Sequence, residues 1–346
     1  MPSHLEQEIR EQPAVLDRLL REESAHVAHI ARQLRKRDIA FVVIAARGSS
    51  DNAATYGKYV LGAVNRLPVA LAAPSLFTMY KAPASMAHAL VIGVSQSGGS
   101  PDIVAVVEEG RRQGAATLAI TNTASSPLAE AAEYTISCHA GEERSIAATK
   151  TYTAQLTALA LLAASLADDA ARLESMRRLP EAVQQTLSLD ADVRQGIVRY
   201  RYMEQCVLIG RGYNYATAFE IALKVKELAY VLAEPYSSAD FLHGPIAVVE
   251  QGFPAIVVAP QGRTYTDVRR LIHDLHQKAA ELVVISDQED ALGLATTPLR
   301  LPVSVEEWLS PIVCIVPGQL LAYHLTLCKG YHPDHPRGLR KVTLTL

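Results

Sequence analysis

The strongest constraint on this chain is that it states one pattern twice. Phe41-Val-Val-Ile-Ala-Ala-Arg47-Gly48 returns as Gln205-Cys-Val-Leu-Ile-Gly-Arg211-Gly212, with Arg211 standing 164 residues after Arg47. Leu90-Val-Ile-Gly-Val-Ser-Gln-Ser97-Gly98 returns at the same spacing as Pro254-Ala-Ile-Val-Val-Ala-Pro-Gln261-Gly262. Ala116-Thr-Leu-Ala-Ile-Thr-Asn122 returns as Glu281-Leu-Val-Val-Ile-Ser-Asp287, offset by 165. Strand-and-loop units recurring in one order at nearly one spacing indicate a tandem duplication. The repeated text consists of short apolar runs bounded by Gly, Ser or Asp, with Ala-rich helical stretches between them. That alternation predicts an α/β fold with a parallel sheet covered on both faces.

At 346 residues there is room for two such units, each with its own core. The expected division is N-terminal helices over 1–37, a first domain over 38–170, a helical linker over 171–195, a second domain over 196–330 and a C-terminal tail over 331–346. Residues 3–37 are rich in Glu, Arg and Leu and read as two helices interrupted at Pro13. Hydrophobic residues make up 49% and charged residues 20%, which excludes disordered, collagen-like and disulfide-scaffold classes. A formal charge of −3 leaves no basic excess for a nucleic-acid backbone, and no Lys/Arg run marks a membrane surface. Cys138, Cys206, Cys314 and Cys328 show no CxxC pairing and read as small hydrophobes in a reducing compartment. The polar N-terminus lacks the apolar stretch of a signal peptide, and Ala154–Ala167 is too short to cross a bilayer. The expectation is a cytoplasmic protein with neither nucleic-acid nor membrane partners.

In an open parallel sheet, ligands bind beyond the carboxyl ends of the strands. Arg47-Gly-Ser49-Ser50-Asp-Asn52 is one such strand end, for which an ordinary turn with a helix cap is the plain alternative. Ser95-Gln96-Ser97-Gly98-Gly-Ser100-Pro-Asp102 is richer. It offers hydroxyls, an amide, glycines for close approach and a helix N-terminus, the donor set that a phosphate monoester requires. Further along, Glu220, Lys224 and Glu227 fall on one face of a predicted helix, where a surface ion-pair ladder is the plain alternative. Ala233–Pro245 reads as a polar loop of unusual length, with His243 able to titrate near neutrality.

Competing motifs are weak. Gly210-Arg-Gly212-Tyr-Asn-Tyr215 lacks the third glycine of a dinucleotide fingerprint, and no P-loop lysine motif occurs. Ser97 stands in the wrong place for a G-x-S-x-G elbow. His26/His29, His273/His276 and His332/His335 are spaced as metal ligands but have no acidic or thiol partners arranged around them. No metal and no cofactor are expected.

Together, Ser95-Gln-Ser-Gly98, Ala147-Ala-Thr-Lys150, Gly210-Arg-Gly212, Ala222-Leu-Lys-Val-Lys-Glu227, His243-Gly-Pro245, Gln319–His324 and Pro336–Lys341 resemble an ordered motif set. It is that of the isomerase half of glutamine-fructose-6-phosphate amidotransferases and their stand-alone relatives, built from two SIS (sugar isomerase) domains. The resemblance implies two tandem flavodoxin-like parallel sheets flanked by helices. It implies that Ser95, Gln96, Ser97 and Ser100 hold a sugar phosphate and that Ser49 and Ser50 line the same site. It further implies that Glu227 shuttles a proton between C1 and C2 of an open-chain sugar, work that suits a carboxylate beside a carbonyl or iminium. Lys224 would be its cationic helper. His243 would open the ring, reaching in from the other subunit of a homodimer, and Lys341 would form a Schiff base with a ketose.

Gly99, Ser100, Ala148 and Leu242 depart from the usual Glu, Thr, Ser and Lys, which leaves sugar selectivity and tail geometry open. Amidotransferases of this type also carry a glutaminase domain beginning with a cysteine nucleophile, and no cysteine precedes Cys138 in this sequence. The expectation is therefore an amino-sugar phosphate deaminase/isomerase that converts glucosamine 6-phosphate to fructose 6-phosphate and ammonia. A phosphosugar aldose-ketose isomerase, a deglycase of another 6-phosphorylated amine adduct, and a non-catalytic sugar-phosphate sensor are the alternatives. Gluco and galacto substrates, the physiological direction and an allosteric amino-sugar site stay open.

Overall fold

The computed structural model describes residues 2–341. The last five residues of the expected C-terminal tail lie outside the described residues. The five strands β1 (Phe41–Ala45), β2 (Val69–Leu71), β3 (Ala89–Ser95), β4 (Ala116–Thr121) and β5 (Tyr134–Ser137) form one sheet in the order β2-β1-β3-β4-β5. Five more, β6 (Gln205–Gly210), β7 (Leu232–Ser237), β8 (Pro254–Val258), β9 (Glu281–Ser286) and β10 (Thr297–Arg300), form a second sheet in the matching order β7-β6-β8-β9-β10. Every pairing in both is parallel.

The duplication extends to register. Ile44 lies opposite Ile92, and the residues 164 positions on, Leu208 and Ile256, lie opposite each other. All residues of β3 and β4 are buried, as expected of strands covered by helices on both faces. The chain order 2-1-3-4-5 changes direction between the first and third strands of each copy, the usual ligand position in such sheets.

By internal contacts the chain divides into two compact units. One comprises Ala14–Glu143, Lys150–Arg178 and the described residues from Arg340, and it contains β1 to β5. The other comprises the residues up to Pro13, Arg144–Thr149 and Leu179–Leu339, and it contains β6 to β10.

Two local expectations need correction. Pro13 does not separate two helices, because a single helix runs from His4 to Leu34 through it. Proline removes the amide that would bond Ile9 O, and Gln12 Nε2 donates to that carbonyl instead at 2.8 Å. The stretch 233–245 is not a long irregular loop either, since it contains edge strand β7 and the short helix Ser238–Leu242. Pro235 is tolerated at such an edge, and it masks the strand pattern in the text. Ser310–Cys328 is long and apolar enough to cross a membrane by composition, yet it is almost wholly buried inside the structure, so it is a core helix.

Candidate active site

β3 ends at Ser95, and the chain turns through Gln96-Ser97-Gly98-Gly99-Ser100 into the helix Pro101–Arg112. Glycine is required at 98, where φ is +63° and a Cβ would stand 2.1 Å from Ser126 Oγ. Gly98 N–H donates to Ser95 Oγ at 3.2 Å and Gly99 N–H to Ser97 Oγ at 3.3 Å. A hydroxyl that accepts from its own loop retains its O–H, so both serines are prepared as donors. Ser100 holds the N-cap position without a side-chain cap bond. The result is a ring of neutral donors at a positive helix end.

The loop is braced from β4. Asn122 N–H and Thr121 Oγ1 donate to Gln96 O at 3.1 and 3.4 Å. Asn122 also donates through Nδ2 to Gly141 O at 2.7 Å and accepts from Ala140 N–H at 2.8 Å, tying the cradle to the segment that leads to Glu143. Sequence reasoning noted Asn122 as a repeat marker and missed this bracing.

Ser49 and Ser50 open the helix Ser49–Asn65 after Gly48, whose φ is +56°. Ser50 Oγ is buried and accepts from Gln155 Nε2 at 3.0 Å. Because β1 and β3 are paired in parallel, the Arg47–Ser50 and Ser95–Ser100 loops leave the sheet at the same edge, beyond neighbouring strand ends. Arg47 Nε lies 2.8 Å from Asp102 Oδ2, and the Asp102 side chain is fully buried.

Lys341 belongs to the same unit. Its Nζ lies 2.9 Å from Oε2 of Glu143, a buried carboxylate that also accepts from Thr151 N–H at 3.1 Å and Thr151 Oγ1 at 2.7 Å. Glu143 was invisible to sequence reasoning, since nothing in the spacing connects it with a lysine almost two hundred positions away.

Lys224, Glu227 and His243 lie in the other unit. On the helix Tyr215–Ala229, Lys224 Nζ is 2.6 Å from Glu227 Oε2 and 3.5 Å from Glu220 Oε1. Glu220 and Lys224 are wholly buried, whereas the Glu227 side chain keeps 24% of its surface open. This is therefore no surface ladder. The buried Lys224 ammonium thus orients Glu227, whose carboxylate stays partly accessible. His243 closes the helix Ser238–Leu242, and its imidazole is exposed. Gly244 follows at φ +139°, open to glycine alone, and Pro245 starts the next turn.

The remaining candidates do not compete. Burial pushes the thiols of Cys138, Cys206 and Cys314 upward, that of Cys206 to about 12, so none is a ready thiolate. Among the described residues, no three His, Cys, Asp or Glu side chains group as metal ligands.

Comparison with known proteins agrees with the duplication. The SIS domain model matches residues 33–165 and again 201–329. The glutamine–fructose-6-phosphate aminotransferase (isomerizing) of Pyrococcus horikoshii is 36% identical over 339 residues, which cover 96% of this chain and 56% of that protein. The chain thus spans a little over half the length of the curated relatives it matches first. A crystal structure from Silicibacter pomeroyi DSS-3, assigned as a phosphosugar isomerase, superposes with a TM-score of 0.87 at 35% identity, covering 96% of this chain and 100% of that one. The fold is shared as well with the glucosamine-6-phosphate deaminase of Thermotoga maritima, with a TM-score of 0.79, 22% identity and coverage of 99% and 100%. The repeated sheet, its repeated register and the two matches of the family model agree that this chain belongs to the SIS domain family, which it carries in two tandem copies.

Proposed function

We propose that the protein is a phosphosugar isomerase acting on 6-phosphorylated amino sugars, converting glucosamine 6-phosphate and water to fructose 6-phosphate and ammonia. The observation that carries this reading is the buried Glu220–Lys224–Glu227 group. The fold does not need these charges, because at the matching places in the first copy, 164 residues earlier, stand Tyr56, Val60 and Ala63, and the first two are buried. Burying an ion pair where apolar side chains serve is seldom a route to stability, so the charges are kept for chemistry.

In the proposed sequence Ser95, Gln96, Ser97 and Ser100 hold the phosphate, and His243 transfers the proton that opens the ring. Glu227 takes the C2 proton of the open-chain aldehyde, giving an enaminol, and returns it to C1. The product is the C2 imine, which water attacks to form a carbinolamine. Loss of ammonia leaves the ketose. Lys224 orients Glu227 through their ion pair, and Lys341 provides the amine that can condense with the C2 carbonyl of fructose 6-phosphate. The exposed imidazole of His243 supports the view that it serves a second copy in a homodimer. The similarity to the Silicibacter pomeroyi protein supports a second reading, plain aldose-ketose isomerisation of a 6-phosphosugar.

Incubation with glucosamine 6-phosphate, with ammonia and fructose 6-phosphate measured together, tests the proposal. Equal yields of both products are expected. Interconversion of glucose and fructose 6-phosphates without ammonia release selects the second reading, and turnover of neither removes both. Mixing the inactive variants Glu227→Gln and His243→Ala should regain activity if the histidine acts across subunits, and its absence rejects that arrangement.

A further inference from the structure

We propose that Arg47 is the cationic member of the phosphate subsite, tethered there by the buried carboxylate of Asp102. The inference deepens the function proposed above and rests on that reading. The cradle of Ser95–Ser100 is neutral, whereas a phosphate monoester near neutral pH carries almost two negative charges. Arg47 stands two residues past β1, immediately before Ser49 and Ser50, and β1 is paired with β3, whose end is the cradle. Both loops therefore flank the point where strand order reverses, the usual ligand position in such sheets.

The tether fixes the guanidinium over the cradle's own helix. Asp102 lies two residues after Ser100, in the first turn, with Oδ2 2.8 Å from Arg47 Nε and Oδ1 accepting from Ile103 N–H at 2.9 Å. Only Nε is hydrogen-bonded, and Asp51 interacts with the guanidinium through charge; neither terminal nitrogen of Arg47 has a hydrogen-bond partner among the described residues, and 49% of the side chain stays open. A guanidinium anchored through Nε presents its terminal N–H groups as a fork, the shape that matches phosphate oxygens.

The second copy serves as an internal control. Arg211 occupies the matching place, and its acidic neighbour is Asp267, one residue past the counterpart of Asp102; the two are 3.6 Å apart, Asp267 is half exposed, and Arg211 Nη1 is turned to Ser237 Oγ at 3.5 Å. There the loop reads Ala259-Pro260-Gln261-Gly262-Arg263-Thr264, and its single hydroxyl, on Thr264, is taken up by Glu307 at 3.2 Å. The tight tether with unengaged terminal nitrogens occurs in the copy that also has the serines.

The full chain and its Arg47→Ala and Arg47→Lys variants should be titrated with fructose 6-phosphate, fructose and inorganic phosphate, with kcat measured in parallel. Arg47→Ala is expected to weaken fructose 6-phosphate and inorganic phosphate by about 10- to 100-fold, the loss of one charge-assisted contact. It should leave kcat within about threefold, since the contact is made equally in ground and transition states. Arg47→Lys should recover part of the affinity. Unchanged phosphate affinity in Arg47→Ala overturns the proposal, and a lowered melting temperature with unchanged affinity reduces the pair to a structural clasp and overturns it equally. Should the alanine variant fail to fold, the lysine variant decides, because a clasp tolerates lysine without a change in phosphate affinity. Phosphate binding that depends on Arg47 in a chain that turns over no 6-phosphosugar keeps the subsite and removes the catalytic reading alone.

Discussion

The loops after β3 and β8 occupy the same place in two copies of one sheet, and they have been finished in opposite ways. After β3, Gly98 adopts φ +63°, two serines are set as donors and the N-cap side chain of Ser100 is uncommitted. After β8, the carboxylate of Glu307 accepts from Thr264 N–H at 3.3 Å and Thr264 Oγ1 at 3.2 Å, just ahead of the helix Tyr265–Gln277. One helix start has no side-chain cap bond, and the other is met by an anion of its own chain. The helices after β1 and β6 differ in the reverse sense, with uncharged Tyr56, Val60 and Ala63 in the first copy where the second has Glu220, Lys224 and Glu227. Duplication thus supplied two equivalent frames, and under the proposed function holding falls to one and proton transfer to the other.

That division can be broken by experiment. The largest expected effect comes from Glu227→Gln, which should lower kcat by about 10²- to 10⁴-fold with little change in affinity for fructose 6-phosphate. Ser97→Ala should do the opposite, raising KM about tenfold with kcat nearly intact. Steady-state kinetics on both variants test the split, and a kcat loss in Ser97→Ala equal to that in Glu227→Gln would erase it.

Next in size is Gly98→Ala. A left-handed alanine costs about 1–2 kcal/mol, and its Cβ would also press on Ser126, so phosphate protection in a thermal melt should disappear along with several degrees of Tm. Gly262→Ala in the other copy meets the Glu307 side chain at 2.4 Å, which can swing away, and no positive φ is involved. Its melting temperature should fall less than that of Gly98→Ala, and an equal fall would show that the two loops are not differently strained. The smallest effect should be that of Glu307→Ala, about 0.5–2 kcal/mol of stability as for a lost helix cap, with KM unaffected. A raised KM would mean that the second loop also contributes to substrate binding.

Legibility followed burial. The central strands β1, β3, β4, β6, β8 and β9 were visible because strands buried on both faces read as unbroken apolar runs bounded by turns. Edge strands β2, β5, β7 and β10 were missed, since one side of an edge is open to polar residues and even to Pro235. The serine cradle was readable because its donors and glycines are consecutive. Glu143, Asn122 and the pairing of Arg47 with Asp102 were not, because each depends on a contact made through space.

What the sequence determined alone is the frame: its period of 164, its parallel order and the strand ends at which chemistry can occur. Those follow from local pattern, since apolar periodicity and turn chemistry act over a few residues at a time. The tertiary structure decided which charged groups are buried, which are tethered and which remain open. Lys224 passed from a candidate surface ion to a fully buried one, and Arg47 from a turn residue to a tethered cation. Burial and pairing depend on neighbours that only folding brings together, so the roles of these residues are properties of the packed chain.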